Sequence, residues 1–276
     1  MTPFSQSSVP RFNMRTMAAN GYTLDFRRGV AAAGLEPTRE RVDCDWSAAS
    51  QVGRDRARNG DAWQVAPDSG IFVLADGQGG HNAGDVASRL VVTRLAERLA
   101  GREPEGRFDP ARRLAQEITA ANADILAAAA RQPECLGMAS TVACLWVGPR
   151  QICIGHVGHS RVYLLRGTRF HRLTRDHVLA SGADDGRPAV LSRALGAEPT
   201  VDVDVQQADW YHGDRLLLCT DGLTDRVGDA RIADVMQGAG SASDCVDTLI
   251  AAALAAGGRD SVTVIGVFLS RSFTIA

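Results

Sequence analysis

The chain predicts an α+β layered domain, and three observations carry that class. Apolar runs of strand length follow one another in hairpin order. Two pairs of helical stretches interrupt them. At 276 residues and 45% hydrophobic content there is enough apolar surface to bury one full core.

Residues 1–40 show no periodicity, only several arginines, few acids, and scattered Ser, Pro, Gly and Ala. A positive, acid-poor start can mark a transit peptide, but the expectation is a flexible extension, or a true start at Met14 or Met17. From residue 41 the pattern sharpens. Val42, Cys44, Trp46 and Ala48 alternate as in a half-buried strand, and residues 62–65 and 71–75 read as the next two. Residues 84–99 read as a helix with Val86, Leu90, Val91 and Leu95 on one face. A Gly- and Pro-containing turn at 101–106 leads to a second helix over 108–131, striped by Leu114, Ile118, Ala121, Ile125 and Leu126. Strands are expected at 141–147, 151–157, 161–166, 200–205 and 215–219, then helices at 230–236 and 242–255, then a strand at 262–269. One domain over 41–270 with a tail at 271–276 is the resulting division.

Net charge is −2, so there is no polyelectrolyte signal for nucleic acid or an anionic membrane. The sequence contains no lysine, so all 30 basic residues are arginine. Schiff-base chemistry is excluded, and guanidinium is the available phosphate fork. Six cysteines lie mostly in apolar runs without CxxC spacing, which favours reduced core thiols over a disulfide framework or a zinc site. No apolar run approaches the roughly 20 residues a membrane helix needs. A cytoplasmic monomer is the expectation.

The chemistry concentrates at strand ends. Val73, Leu74 and Ala75 run into Asp76 and Gly77, placing a carboxylate at the open end of a strand where glycine allows close backbone approach. In isolation an Asx turn closing the strand is the more common explanation of that pair, whereas a hard divalent cation would use the oxygen donors. The design recurs where residues 216–219 deliver Asp221 and Gly222, and Asp260 stands just before the apolar run from Val262. Arg56, Asn59 and Asp61 precede the first of these motifs. Several carboxylates at strand ends suit a two-metal site that clamps a phosphoryl group and activates water.

Taken in order, the motifs are Gly53-x-x-Arg56-x-x-Asn59-x-Asp61, Asp76-Gly77-x-Gly79-Gly80-His81, Gly137-Met138-x-Ser140-Thr141 and Val157-Gly158-x-Ser160-Arg161. Leu173-Thr174-x-Asp176-His177, Arg193-Ala194-Leu195-Gly196, Asp221-Gly222-Leu223-Thr224-Asp225 and Asp260-x-x-Thr263-Val264 follow. Each is weak alone, but the ordered series resembles the PPM (type 2C) metal-dependent serine/threonine protein phosphatases in their bacterial form. The resemblance implies a four-layer α-β-β-α sandwich, two antiparallel sheets flanked by helix pairs with metals at one edge. It implies two Mn2+ or Mg2+ ions, with Asp76 bridging both, the Gly77 carbonyl on one, and Asp221 and Asp260 on the other. Asp61 completes the metal set by matching a site aspartate that orients metal-bound water, and Arg56 matches the arginine that grips substrate phosphate. A hydroxide between the ions would attack phosphorus in line, with no protein nucleophile.

Phosphorylated proteins are the implied substrates and a bacterial serine/threonine kinase the implied counterpart. Two alternatives are a phosphatase of anti-sigma-factor antagonists, whose members typically lack the Arg56-like grip, and a catalytically weak phosphoprotein-binding scaffold, which would require lost carboxylates. Departures from the pattern are local. His159 stands where the family has an aspartate that holds a weaker third metal, which puts that ion in doubt; otherwise His159 is a partly exposed histidine without a ligand role. Ser261 replaces a usual asparagine, Gly60 replaces an acidic or amide residue, and the flap between His177 and Arg193 is short. His81 is explained by capping or packing as well as by acid catalysis, Gln78 occupies a position where some eukaryotic members carry an acid histidine, and His177 reads as structural.

Overall fold

Alternating burial starts at Val42 and sets a long strand, and the same period of two recurs wherever a sheet face meets a core. The structure, a computed structural model, describes residues 17–18, 22–25, 39–78, 83–100, 109–179 and 190–274. The chain begins with β1 (Met17–Ala18), β2 (Tyr22–Asp25), β3 (Arg39–Gln51), β4 (Asp61–Ala66) and β5 (Ile71–Gln78). Helices α1 (Gly84–Leu99) and α2 (Pro110–Arg131) follow, then β6 (Ala139–Ser140), β7 (Val142–Val147), β8 (Gln151–Val157), β9 (Arg161–Arg166) and β10 (Arg169–Arg172). The remainder is β11 (Asp204–Asp209), β12 (Arg215–Cys219), α3 (Asp221–Thr224), α4 (Asp229–Gly238), α5 (Ala242–Ala255) and β13 (Val262–Thr274).

Among the described residues these strands form two antiparallel sheets. One runs β1-β3-β13-β12-β9-β10, with β2 also on β3, and the other runs β11-β8-β7-β5-β4, with β6 on β5. Side-chain alternation then assigns the layers. Phe72, Leu74, Leu145 and Ile154 face Trp46, Val162, Leu216, Leu218 and Ile265 between the sheets. On the opposite face of β5 and β7, Ile71, Val73 and Cys144 pack under Val91, Leu95, Leu114, Ile118 and Ile125 of α1 and α2. Tyr163, Leu217 and Val264 meet Ile232, Met236, Val246 and Leu249 of α4 and α5. The order is helix pair, sheet, sheet, helix pair, as expected. Each buried Leu, Ile or Phe contributes about 1.5–3 kcal/mol, so the three apolar layers are the main source of stability.

Local signals set the helix ends. Asp109 caps α2 by accepting from the Ala111 and Arg112 amides at 3.1 and 3.2 Å, with Pro110 at the first helical position. Ser241 caps α5 through the Asp244 amide at 3.1 Å. Across the helix pair, Arg98 of α1 reaches Asp124 of α2 at 2.9 Å.

Several expectations need correction. β3 and β13 pair along their whole length, from Gln51 opposite Val262 to Arg39 opposite Thr274, so residues 271–274 are strand rather than tail. Within the expected N-terminal extension, β1 and β2 pair with β3. The strand placed at 200–205 is β11, Asp204–Asp209. Val201, Val203 and Val205 do pack against the α1–α2 core, which produced the alternation, but the ladder begins at Asp204 opposite His156, near the end of β8. β10 and α3 were not anticipated. The turn at 101–106, His81, the flap centre at 180–189 and the rest of residues 1–40 lie outside the described residues. Among the described residues, no helix is long and apolar enough to cross a membrane.

Candidate metal centre

Strand register brings the acids together. β4 and β5 place Asp61 directly opposite Asp76 on one sheet. On the other, β12 ends at Cys219, so Asp221 opens α3, while Asp260 precedes β13, whose Val264 faces Cys219. The two sheets therefore present Asp61, Asp76, Asp221 and Asp260 at the same end of the sandwich, close enough that each of the other three charges acts on Asp76.

Asp61 ties the sheets to each other. Its Oδ2 accepts from the Thr220 and Thr263 hydroxyls at 2.8 and 2.7 Å. Thr263 sends its proton to Asp61, so the Ser50 hydroxyl, 2.7 Å away, donates to Thr263. Ser50 in turn accepts from the Asn59 side-chain N–H at 2.7 Å, and Oδ1 of the same side chain accepts the Asp61 backbone N–H at 3.0 Å. This closed network fixes one carboxylate oxygen of Asp61. Asp76 is held through its backbone: its N–H donates to Thr141 Oγ1 at 2.9 Å and its carbonyl accepts from the Thr141 amide at 2.8 Å.

The electrostatics are those of a cluster of like charges taken out of water. Burial pushes the Asp61 carboxyl up to about 7, against the two hydroxyl hydrogen bonds, and Asp221 and Asp260 add repulsion. Burial, then the Asp61, Asp221 and Asp260 charges, holds Asp76 well above the usual carboxylate range. Arg56 offsets part of this charge, with Nε 2.8 Å from Asp260 Oδ1 and Nη2 2.7 Å from Oδ2. Carboxylate oxygens in a desolvated, mutually repelling set are the donors that hard divalent cations take. The residues present fit such ions.

All four aspartates singled out in the sequence thus meet here. Gly77 is beside them on β5, wedged so closely that a Cβ would lie 1.9 Å from the Gly84 carbonyl oxygen, and its N–H donates to the Gly60 carbonyl at 3.1 Å. Arg56 sits at the rim, 58% exposed in its side chain, and grips Asp260. His159 is not partly exposed but buried at 8%, with Nε2 turned toward Asp221. His177 is structural as expected: its Nδ1 accepts from the Gly158 amide at 3.1 Å and its Nε2 lies 3.0 Å from Asp204 Oδ2. Ser261 donates its backbone N–H to Asp260 at 2.7 Å, while its hydroxyl has no hydrogen-bond partner among the described residues. The Thr220–Thr263–Ser50 support was missed. Its signal was polar residues inside otherwise apolar strand runs, immediately beside the acids. The six cysteines are free and buried.

Residues 50–255 match the protein phosphatase 2C family. Serine/threonine phosphatase stp of Listeria welshimeri is 33% identical over 226 residues, covering 75% of this chain and 87% of that protein. Serine/threonine protein phosphatase PstP of Mycobacterium tuberculosis is 35% identical over 235 residues, 80% of this chain but 44% of that longer protein. A crystal structure of the PstP catalytic domain in complex with 2 manganese ions superposes with a TM-score of 0.74 at 32% identity, covering 83% of this chain and 99% of that one. Serine/threonine phosphatase Stp1 from Staphylococcus aureus gives 0.74 at 26% identity, covering 88% and 98%. The match spans most of the described sandwich and takes in Arg56, Asp61, Asp76 and Asp221: the chain belongs to the protein phosphatase 2C family.

Proposed function

We propose that this chain is a metal-dependent phosphatase that hydrolyses phosphoserine and phosphothreonine on proteins. The observation that carries this reading is the meeting of Asp61, Asp76, Asp221 and Asp260 at the shared end of two sheets, in a chain of this family. Asp76, the Gly77 carbonyl, Asp221 and Asp260 would hold two Mn2+ or Mg2+ ions, with Asp61 beside them. When bound, those ions supply Lewis-acid neutralisation of phosphoryl charge and activation of water.

The chain's own residues supply position and electrostatics. Asp61, with one oxygen fixed by two hydroxyls, leaves the other to orient a water. Arg56 presents a fork that now holds a carboxylate, and the same two N–H donors match two phosphate oxygens. A cysteine nucleophile is not available, because burial pushes the nearby Cys219 thiol up to about 12. The intact carboxylate set favours an enzyme over a phosphoprotein-binding scaffold. One catalytic domain from β3 to the end of β13, residues 39–274, acting as a cytoplasmic monomer against a serine/threonine kinase, completes the proposal.

Substrate class is tested by phosphate release from matched phosphoserine, phosphothreonine and phosphotyrosine peptides, in Mn2+ and in chelator. Turnover of the first two with metal, and none in chelator, is expected. Equal turnover of all three in chelator would overturn the reading.

A further inference from the structure

Building on the metal-dependent reading above, we propose that His159 Nε2 is a protein ligand of the metal centre, and that this nitrogen makes the site select first-row transition ions over Mg2+. The ring enters the carboxylate cluster. Nε2 lies 3.3 Å from Asp221 Oδ2 and 3.9 Å from Asp76 Oδ2, and the three donor atoms fall within 4.8 Å of one another. Donors sharing one ion at about 2.1 Å stand roughly 3.0–3.4 Å apart, so Nε2 and Asp221 already have that spacing and Asp76 Oδ2 would close on Nε2 by about half an ångström.

The ring's close polar neighbours are the carboxylates that would share the ion. His159 is 8% exposed, and its Nδ1 is buried without a hydrogen-bond partner among the described residues. Among the described residues no hydrogen bond ties the proton to either ring nitrogen, so a cation placed between Nε2 and the carboxylates would take the Nε2 lone pair and leave the proton on Nδ1. The other close cluster, His156, His177 and Asp204, differs on this point. There the Gly158 N–H donates to His177 Nδ1, so a neutral His177 must carry its proton on Nε2, facing Asp204. That ring offers no lone pair to an ion while the amide bond stands.

The backbone around His159 is also preset. Gly158 has φ +106°, and a Cβ there would lie 2.6 Å from Thr141 Cγ2. His177 clasps the same glycine on both sides, its ring accepting the Gly158 N–H at 3.1 Å and its backbone N–H donating to the Gly158 carbonyl at 2.8 Å. On the far side of His159, the Ser160 hydroxyl is 2.7 Å from Thr141 Oγ1, the atom that receives the Asp76 amide. Imidazole and carboxylate are thus anchored to one threonine and keep their spacing. A neutral nitrogen adds no negative charge; imidazole suits Co2+ or Zn2+, and Mn2+, though at home among oxygen donors, accepts it more readily than Mg2+, which takes oxygen donors almost exclusively.

The test uses the full chain as wild type, His159→Asp and His159→Ala. Electron spin-echo spectra of the Mn2+-loaded proteins report a directly bound nitrogen, and calorimetric titration gives Mn2+ and Mg2+ affinities. Wild type should show nitrogen coupling that both variants lose. Its preference for Mn2+ over Mg2+ should fall about tenfold or more in His159→Asp, in line with ligand type setting selectivity. Mn2+ binding to wild type without nitrogen coupling, or an unchanged preference in His159→Asp, would overturn this inference alone. Failure of wild type to bind Mn2+ at all would overturn the metal-dependent reading and the inference together.

Discussion

Arg56 shows how one side chain can serve both the metal-free cluster and the substrate. It forms a two-point pair with Asp260, but both side chains are substantially exposed, 58% and 43%, so the pair adds little to stability. Its use lies in the fork. Arg56→Ala should raise KM for a phosphopeptide and lower turnover, while Mn2+ affinity stays the same or rises, because Asp260 loses a competitor for its oxygens. Unchanged kinetics would show that Arg56 is only a surface charge. His156 makes a second residue-scale prediction. Burial, then the His177 ring, lowers its pKa to about 4 from 6.5, with Asp204 and Asp176 opposing. The unfolded chain therefore takes up the proton first, and stability present above pH 6.5 is lost as pH falls toward 4. Asp61 has the opposite sign: its raised pKa makes the metal-free fold less stable as pH rises from about 4 to 7. Comparison with His156→Gln separates the two. By urea unfolding, the wild type should lose about 2–3 kcal/mol relative to the variant between pH 7.5 and 4.5. Parallel pH profiles would contradict this. The acids themselves were legible because each follows or precedes an apolar run in the sequence. The hydroxyls that hold Asp61 were not, since Thr220 and Thr263 lie 159 and 202 positions away and only folding brings them close. Nor was the direction of His159, which depends on a positive φ at Gly158.

At the scale of elements, burial period was the reliable guide and ladder length was not. α1, β8, β9, β12 and α5 were readable to their ends because apolar patterning runs the length of each, with the Ser241 cap marking the start of α5. β11 was displaced because its alternating valines extend past the ladder it forms with β8. β10 was missed because it is four residues long and all but Phe170 are polar and exposed. It exists because Gly167, at φ +59°, turns the chain back on β9, and Phe170 stacks on Tyr163 at 5.0 Å. β3 and β13 exceed their apolar stretches because each is the other's partner, so pairing continues to Arg39 and Thr274 without further sequence signal. The α2 cap offers a quantitative check. Asp109→Ala removes acceptors for two orphan amides and should cost about 1 kcal/mol. A urea midpoint equal to wild type would show that the α1–α2 packing alone fixes that helix start.

For the molecule as a whole, the centre is a consequence of how the sandwich closes. Asp61 and Asp76 come from one sheet, Asp221 and Asp260 from the margin of the other, and the Asp61 hydroxyl bonds cross between them. No single sheet carries the site, which is why motifs scattered from residue 53 to 264 had to be read as one series. Cations bound there would relieve the repulsion that raises the Asp61 and Asp76 carboxyls, and so couple catalysis to closure of the fold. The most direct test is Mn2+-dependent phosphate release from a phosphothreonine peptide by wild type and by Asp76→Asn, each verified as folded. Asp76 faces all three other acids, so neutralising it should abolish the metal-stimulated rate while wild type turns over only with Mn2+. Near-normal turnover by Asp76→Asn at saturating Mn2+ would contradict a metal centre built on these four carboxylates.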